Sequence, residues 1–317
     1  MQINYKILWI EDSVSWLTGR EAKIKQHIIK NGFYPIIDTI TNIDDFICDV
    51  DLIKEYDLIL MDYQLDTLGV KTKGDEIIKI IRNNHIYSNI IFYSNQDLPK
   101  IAYENNIQNV FIFQREEFRN ENIKVVYDVL DFILGQANSI NIMRGIVMAE
   151  LANFDNDILD IIVNTDYEQK WEKIFNTITL NRQKTCKEII SKNEKFKDDA
   201  DKILRVCESV RKENNIEQLK DIILNSSKSS AVFSSAVRAD FLNKILKEKH
   251  CMLNSQNDFK SKFKEEIIDV RNELAHHQNL INYTDYKLLS IRKNILKHRE
   301  NLREIRKVLI ANKISEN

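Results

Sequence analysis

Five short runs rich in β-branched and aromatic residues recur through the first third of the chain: KILWI (6–10), YPIID (34–38), DLILM (57–61), NIIFY (89–93) and NVFIF (109–113). Between them lie segments with helical periodicity, WLTGREAKIKQHIIKN, NIDDFICDVDLIK, KGDEIIKIIRNN and LPKIAYENN, and NENIKVVYDVLDFIL follows the last run. Runs that are almost wholly apolar, rather than apolar at alternate positions, suit strands buried on both faces, and strands joined through helices pair in parallel. The pattern predicts an α/β domain over residues 1–136, with a five-stranded parallel sheet covered on both sides. Ligands of such sheets sit at the carboxyl ends of the strands, so the residues that close each run carry the most information.

The first run closes in Glu11-Asp12, the third in Asp62, the fourth in Ser94 and the fifth in Gln114-Arg115. Taken singly, each carboxylate reads as a loop residue or a helix N-cap. Together, three carboxylates at one sheet edge repel one another unless a cation sits among them. Mg²⁺ favours a few carboxylates supplemented by water and phosphate oxygens, so Glu11, Asp12 and Asp62 are candidate metal ligands. A hydroxyl at the next strand end, Ser94, is then placed to hydrogen-bond a phosphoryl group carried by Asp62.

Residues 4–134 resemble the receiver domain of two-component response regulators. The resemblance rests on LWIEDS for the acidic pair, LILMDYQL for the phospho-acceptor Asp62, KGDEIIKIIR for the helix that follows, and IIFYSNQ for the switch hydroxyl Ser94. It implies a flavodoxin-like fold, phosphorylation of Asp62 by a partner histidine kinase with Mg²⁺, and an aromatic switch on the fifth strand, at Phe111 or Phe113. The chain departs from the family in FIFQREEF, where Gln114 takes the place of the family's lysine and Arg115 follows it. A planar guanidinium does not replace a lysine point charge. A receiver-like domain used only for dimerisation or docking therefore stays open beside a phosphorylated one.

The remaining chain reads as all helical. The small, polar GQANSIN (135–141) marks a boundary, and residues 137–317 carry helical patterns interrupted by the Ser-rich NSSKSSAVFSS (225–235). Residues 1–136 hold 14 basic and 21 acidic side chains, whereas residues 201–317 hold 23 basic and 16 acidic. A polyanionic partner is therefore expected at the C-terminal end. In the last helix, spanning 286–311, Leu288, Ile291, Ile295, His298, Leu302, Ile305 and Leu309 form a heptad-like seam. Arg292, Arg299 and Arg306 recur beside it with Arg303, either as a solvated face or as an RNA-binding stripe tracking phosphates.

The segment DVRNELAHH places Arg271, Asn272, His276 and His277 within one short stretch of helix. Asn272 and His276 are four residues apart and share a face, so the asparagine is placed to orient the imidazole. Arg271 and His276 do not share a face well, and one way for both to reach a single substrate is a composite cleft where two copies of the helix meet. By spacing alone the histidines also read as a solvated surface. The pattern R-N-x-x-x-H resembles the signature of HEPN-type ribonucleases. That resemblance implies a homodimeric site that cuts RNA without a metal or other cofactor, with His276 moving protons and Arg271 facing the charge on phosphorus.

The expected function is accordingly a signal-gated endoribonuclease, as in a toxin, stress or phage-defence effector. A non-catalytic response regulator whose helices bind protein or nucleic acid is the alternative. A phosphorelay through His276 or His277 is a third reading. No glycine-rich ATP motif is present to make a complete kinase. No apolar run approaches eighteen residues and the N-terminal stretch has no secretory pattern, so neither a membrane span nor a signal peptide is expected. The four cysteines, Cys48, Cys186, Cys207 and Cys251, form no CxxC. With these signals, their spacing predicts a reduced chain in the cytoplasm.

Overall fold

The computed structural model describes residues 2–41, 50–67, 70–95, 109–118, 124–165, 234–248, 259–276 and 283–310, with isolated residues between 180 and 208. The fourth sequence-predicted helix (LPKIAYENN), most of residues 166–233, and His277 lie outside the described residues. The chain divides into two compact units, Met1–Ile146 with Ile281–Lys293, and Val147–Leu280 with Asn294–Asn317.

The first unit contains strands β1 (Asn4–Ile10), β2 (Tyr34–Ile40), β3 (Leu58–Asp62), β4 (Gln64–Thr67), β5 (Val70–Lys73), β6 (Asn89–Ser94) and β7 (Val110–Gln114). Five of them form an all-parallel sheet in the order β2-β1-β3-β6-β7. Its helices are α1 (Val14–Leu17), α2 (Arg20–Lys30), α3 (Gly74–Asn83) and α4 (Lys124–Gly135). Alternation along the strands divides the core in two. Tyr5, Ile7, Trp9, Leu60 and Tyr93 pack with Ile24 and Ile28 of α2 and Leu130 of α4. Leu8, Ile10, Ile59, Met61 and Phe92 pack with Ile77, Ile78 and Ile81 of α3. Both faces are thus buried, which is why the strand sequences are apolar without a break.

The antiparallel hairpin β4–β5 is an addition that the sequence does not signal; QLDT and VKTK are too short and polar to show strand periodicity. It leads into α3 at Gly74, whose N–H donates to the Tyr63 carbonyl (2.8 Å). A Cβ at Gly74 would collide with the Asp62 carbonyl and stand 2.8 Å from the Phe92 ring. Gly74→Ala is expected to cost about 1–3 kcal/mol through overpacking, measured as a lower urea midpoint. An unchanged midpoint would mean that the end of β3 is free to relax.

Helices α5 (Ile140–Asn164) and α9 (Asp285–Ile310) contribute residues to both units. Within the first, Arg292 is buried. Its Nε donates to the Asn31 carbonyl (3.1 Å), its Nη1 to Asn138 Oδ1 (3.1 Å), and its guanidinium lies over Phe33. The α2–β2 turn leaves room for it because Gly32 has φ +79° and no Cβ; one there would lie 2.7 Å from Arg292 Cβ.

The second unit adds α6 (Ser235–Glu248), α7 (Phe259–Phe263), a π-helical segment (Lys264–Asp269) and α8 (Val270–His276). Phe263 and Val270 both have right-handed helical dihedrals, so α7, the π segment and α8 form one continuous helix. Phe154, Phe259 and Phe263 surround His298, whose Nε2 is 2.8 Å from Glu266 Oε2. Every residue of the α9 seam read from sequence is buried. Among the described residues, no helix is long and apolar enough to cross a membrane.

Candidate functional site

Because the five strands are parallel, their carboxyl ends share one edge. There Glu11 follows β1 and keeps the side-chain direction of Trp9 two residues earlier, while Asp62 and Ser94 are the last residues of β3 and β6. Glu11, Asp62 and Ser94 are all buried, Asp12 is half-buried, and Gln114 at the end of β7 is exposed. Carboxylate oxygens of Glu11, Asp12 and Asp62 lie within 4.8 Å of one another.

Arg115 enters this cluster from the residue after β7. Its Nη1 donates to Asp62 Oδ2 (2.9 Å) and its Nη2 to Glu11 Oε1 (2.9 Å). The Arg115 guanidinium also lies over the Trp16 ring, 4.3 Å from its centroid, as does that of Arg20 at 3.6 Å. The other oxygens are engaged as well. The Tyr93 hydroxyl donates to Glu11 Oε2 (2.9 Å) and accepts from Trp9 Nε1 (2.7 Å). The Tyr63 N–H donates to Asp62 Oδ1 (2.8 Å), and the Ser13 N–H to Glu11 Oε1 (3.1 Å). Tyr93, Trp9 and Trp16 escaped the sequence reading. The signal was there in part, since Trp9 and Glu11 are two apart on one strand and Tyr93 precedes Ser94.

One guanidinium balances two buried carboxylates, so the centre carries an excess negative charge. Burial, then the Glu11 charge, push Asp62 up to about 7 against the pull of Arg115. Burial also raises Glu11, opposed by Arg115 and Tyr93. An acid whose pKa is higher folded than unfolded binds more protons in the native state. Stability from Asp62 is therefore lost as pH rises from about 4 to about 7 and is level above that. Asp62→Asn is expected to remove this slope and to raise the melting temperature at pH 8 by several degrees, the gain fading below pH 6. A pH–stability profile parallel to that of the wild type would show that Asp62 titrates normally.

The donor set of hard oxygens suits Mg²⁺. Arg115 already holds one oxygen of Glu11 and one of Asp62. Phe113, one of the two aromatics considered for a switch, is buried; Phe111 is half-buried with its ring 6.3 Å from that of Phe132.

No family model matches the chain, and no curated protein matches it. Its functional reading therefore stands on the sites themselves.

In the second unit, Asn272 and His276 are exposed on α8 and Arg271 is half-buried. Arg271 Nη1 donates to Asn272 Oδ1 (2.9 Å), so the asparagine carbonyl is turned toward the arginine. The arginines of α9 do not form one stripe. Arg292 is buried in the first unit, and burial lowers its pKa to about 10. Arg299 grips Glu150 through Nε and Nη2, both at 2.7 Å. Arg306 pairs with Asp160 (2.6 Å) and Asp157, and Arg303 with Glu300. Asp155, Asp157 and Asp160 lie inside α5, where Asp157 and Asp160 answer Arg306.

Proposed function

We propose that this chain is a signal-gated effector in which a receiver-like α/β unit controls a helical unit that cleaves RNA without a metal. The strand order, 2-1-3-4-5 when only the parallel strands are counted, is that of flavodoxin-like doubly wound folds and supports the receiver-like reading. The observation that carries it is the gathering of Glu11, Asp12, Asp62, Ser94 and Arg115 at the carboxyl edge of that sheet. Arg115 then holds the resting state. Transfer of a phosphoryl group from a kinase phosphohistidine to Asp62, which frees the histidine, displaces Arg115; Glu11, Asp12 and Asp62 would hold Mg²⁺, which would supply charge neutralisation for the phosphoryl oxygens.

For the effector, support comes from Arg271, Asn272 and His276 lying along one solvent-accessible turn and a half of α8. RNA brings its own nucleophile. The ribose 2′-oxygen attacks phosphorus, the bond from phosphorus to the 5′-oxygen breaks, and a 2′,3′-cyclic phosphate is left. His276 takes the 2′-hydroxyl proton, and His276 of a second copy in a homodimer returns one to the departing 5′-oxygen. Arg271 faces the charge that builds on phosphorus.

The internal pairing of Arg292, Arg299 and Arg306 favours a second reading, a non-catalytic regulator that docks a protein, because it withdraws positive charge from an RNA track. Comparing RNA cleavage by the wild type and by Arg115→Ala and Asp62→Asn tests the gating. At least one variant is expected to change the rate several-fold. Equal rates for all three would separate the acidic centre from the effector.

A further inference from the structure

Arg271, Asn272 and His276 follow directly on the π-helical segment Lys264–Asp269. A π turn closes on i→i+5 hydrogen bonds, so it holds about one residue more than an α turn; such turns are rare and recur at functional sites. One residue of α-helix is about 100° of rotation and about 1.5 Å of rise. Helix α7, the π segment and α8 are one continuous helix. The π turn therefore sets the direction in which α8 presents its side chains.

The apolar pattern does not ask for the extra residue. Phe263, Ile267, Val270 and Leu274 are spaced four, three and four apart, and an uninterrupted α-helix would place them on one face. The π turn is tied instead to a neighbouring helix. Glu266, inside the segment, reaches α9 twice: its Oε2 accepts from His298 Nε2 (2.8 Å), and its carboxylate accepts from Lys297 Nζ (3.1 and 3.3 Å). Lys297 is exposed, so water screens its share. The His298 side chain is 1% exposed, and its Nδ1 has no hydrogen-bond partner; the polar side of the ring is committed to Glu266. The ring stands edge-to-face among Phe154, Phe259 and Phe263. Phe259 and Phe263 anchor α7 in that cage, whereas Leu274 is the one fully buried residue of α8. If the π turn relaxes, α8 is the side that rotates.

We propose that Glu266 and His298 are positioning residues for the RNA site: their hydrogen bond holds the π turn, and the π turn fixes the face on which Arg271, Asn272 and His276 are presented. The consequence for RNA rests on the reading of α8 given above; the pinning of the turn does not. Neither residue touches the substrate.

The test reads geometry and chemistry separately. Asn272 on α8 and Glu300 on α9 are both exposed. In the full chain, spin labels are attached to unnatural ketone side chains at these two positions, which leaves the native cysteines alone, and their separation is measured by pulsed electron paramagnetic resonance. A turn of about 100° at a helix radius of about 5 Å carries a side chain about 8 Å. Glu266→Ala, which lies outside the aromatic cage, is expected to shift the main distance by at least about 3 Å or to add a second one. His298→Phe, which keeps a ring among the phenylalanines but cannot hold Glu266, should do the same. Glu266→Gln, whose amide oxygen still accepts from His298 Nε2, should keep the wild-type distance. In unlabelled chains, Glu266→Ala should lower kcat for RNA at least about tenfold with KM changed less than about threefold, and Glu266→Gln should cleave like the wild type. A wild-type distance in both Glu266→Ala and His298→Phe overturns the proposal whatever happens to RNA. A shifted distance with kcat unchanged in Glu266→Ala overturns it too, since the turn then does not position the site. If the distance shifts and the wild type does not cleave RNA, the pinned turn stands and the RNase reading falls.

Discussion

His276→Ala is expected to lower RNA cleavage by at least a hundredfold while leaving the melting temperature within a degree or two. Loss of a proton-transfer group typically costs about 10²–10⁴ in rate. His276 is exposed at the end of α8, and exposed side chains contribute little to folding. Arg271→Lys should lose cleavage comparably, since the charge remains and the fork does not. Asn272→Ala should lose less; its carbonyl accepts from Arg271 (2.9 Å) and so steadies that guanidinium without reacting. A sharp fall in melting temperature for His276→Ala, with no cleavage by the wild type, would make the histidine a structural residue and leave the docking reading in its place.

Arg115→Ala carries the largest expected effect on stability. Glu11 and Asp62 are 0% and 1% exposed, and Arg115 bridges them at 2.9 Å on each arm. Removing one partner of a buried ion pair strands the others and costs about 3–5 kcal/mol, which for a unit of this size corresponds to roughly 10 °C. The sign with pH follows from Asp62, already pushed up to about 7. Without Arg115 both carboxyls move further up, so the native state holds its protons at higher pH and the deficit deepens as pH rises above about 4. Millimolar Mg²⁺ should recover much of the loss by taking up the freed oxygens, and should stabilise the variant more than the wild type. Thermal melts at pH 5 and pH 8, with and without Mg²⁺, measure this. A variant as stable as the wild type at pH 8 would mean that Arg115 is a surface contact.

The parallel sheet was legible because burial on both faces writes itself as unbroken apolar runs, and strand ends are found simply by where those runs stop. Asp62 and Ser94 fall on the last residues of β3 and β6, and Glu11 comes just after β1, for that reason. Helix α9 was legible to within a residue, Asp285–Ile310 against 286–311, since its seam repeats over three heptads. What a local pattern cannot show is which distant charge answers a given arginine. Arg299 meets Glu150, 149 residues away, and Arg292 meets Asn31, 261 residues away. A periodic row of arginines on one helix therefore reads alike whether it meets a phosphate backbone or folds onto its own chain. The Arg115 bridge lies between these cases. Its place at the end of the fifth strand was visible, and its bidentate grip on Glu11 and Asp62 was not.

The most direct test of the account is the chemistry of the RNA ends. The full chain is incubated with a labelled single-stranded RNA in excess EDTA, and the products are resolved by end-group analysis. Cleavage with 2′,3′-cyclic phosphate and 5′-hydroxyl ends, absent from His276→Ala, is the predicted result. RNA that stays intact at protein excess for both the resting chain and Arg115→Ala, or ends bearing 5′-phosphate and 3′-hydroxyl, would contradict it.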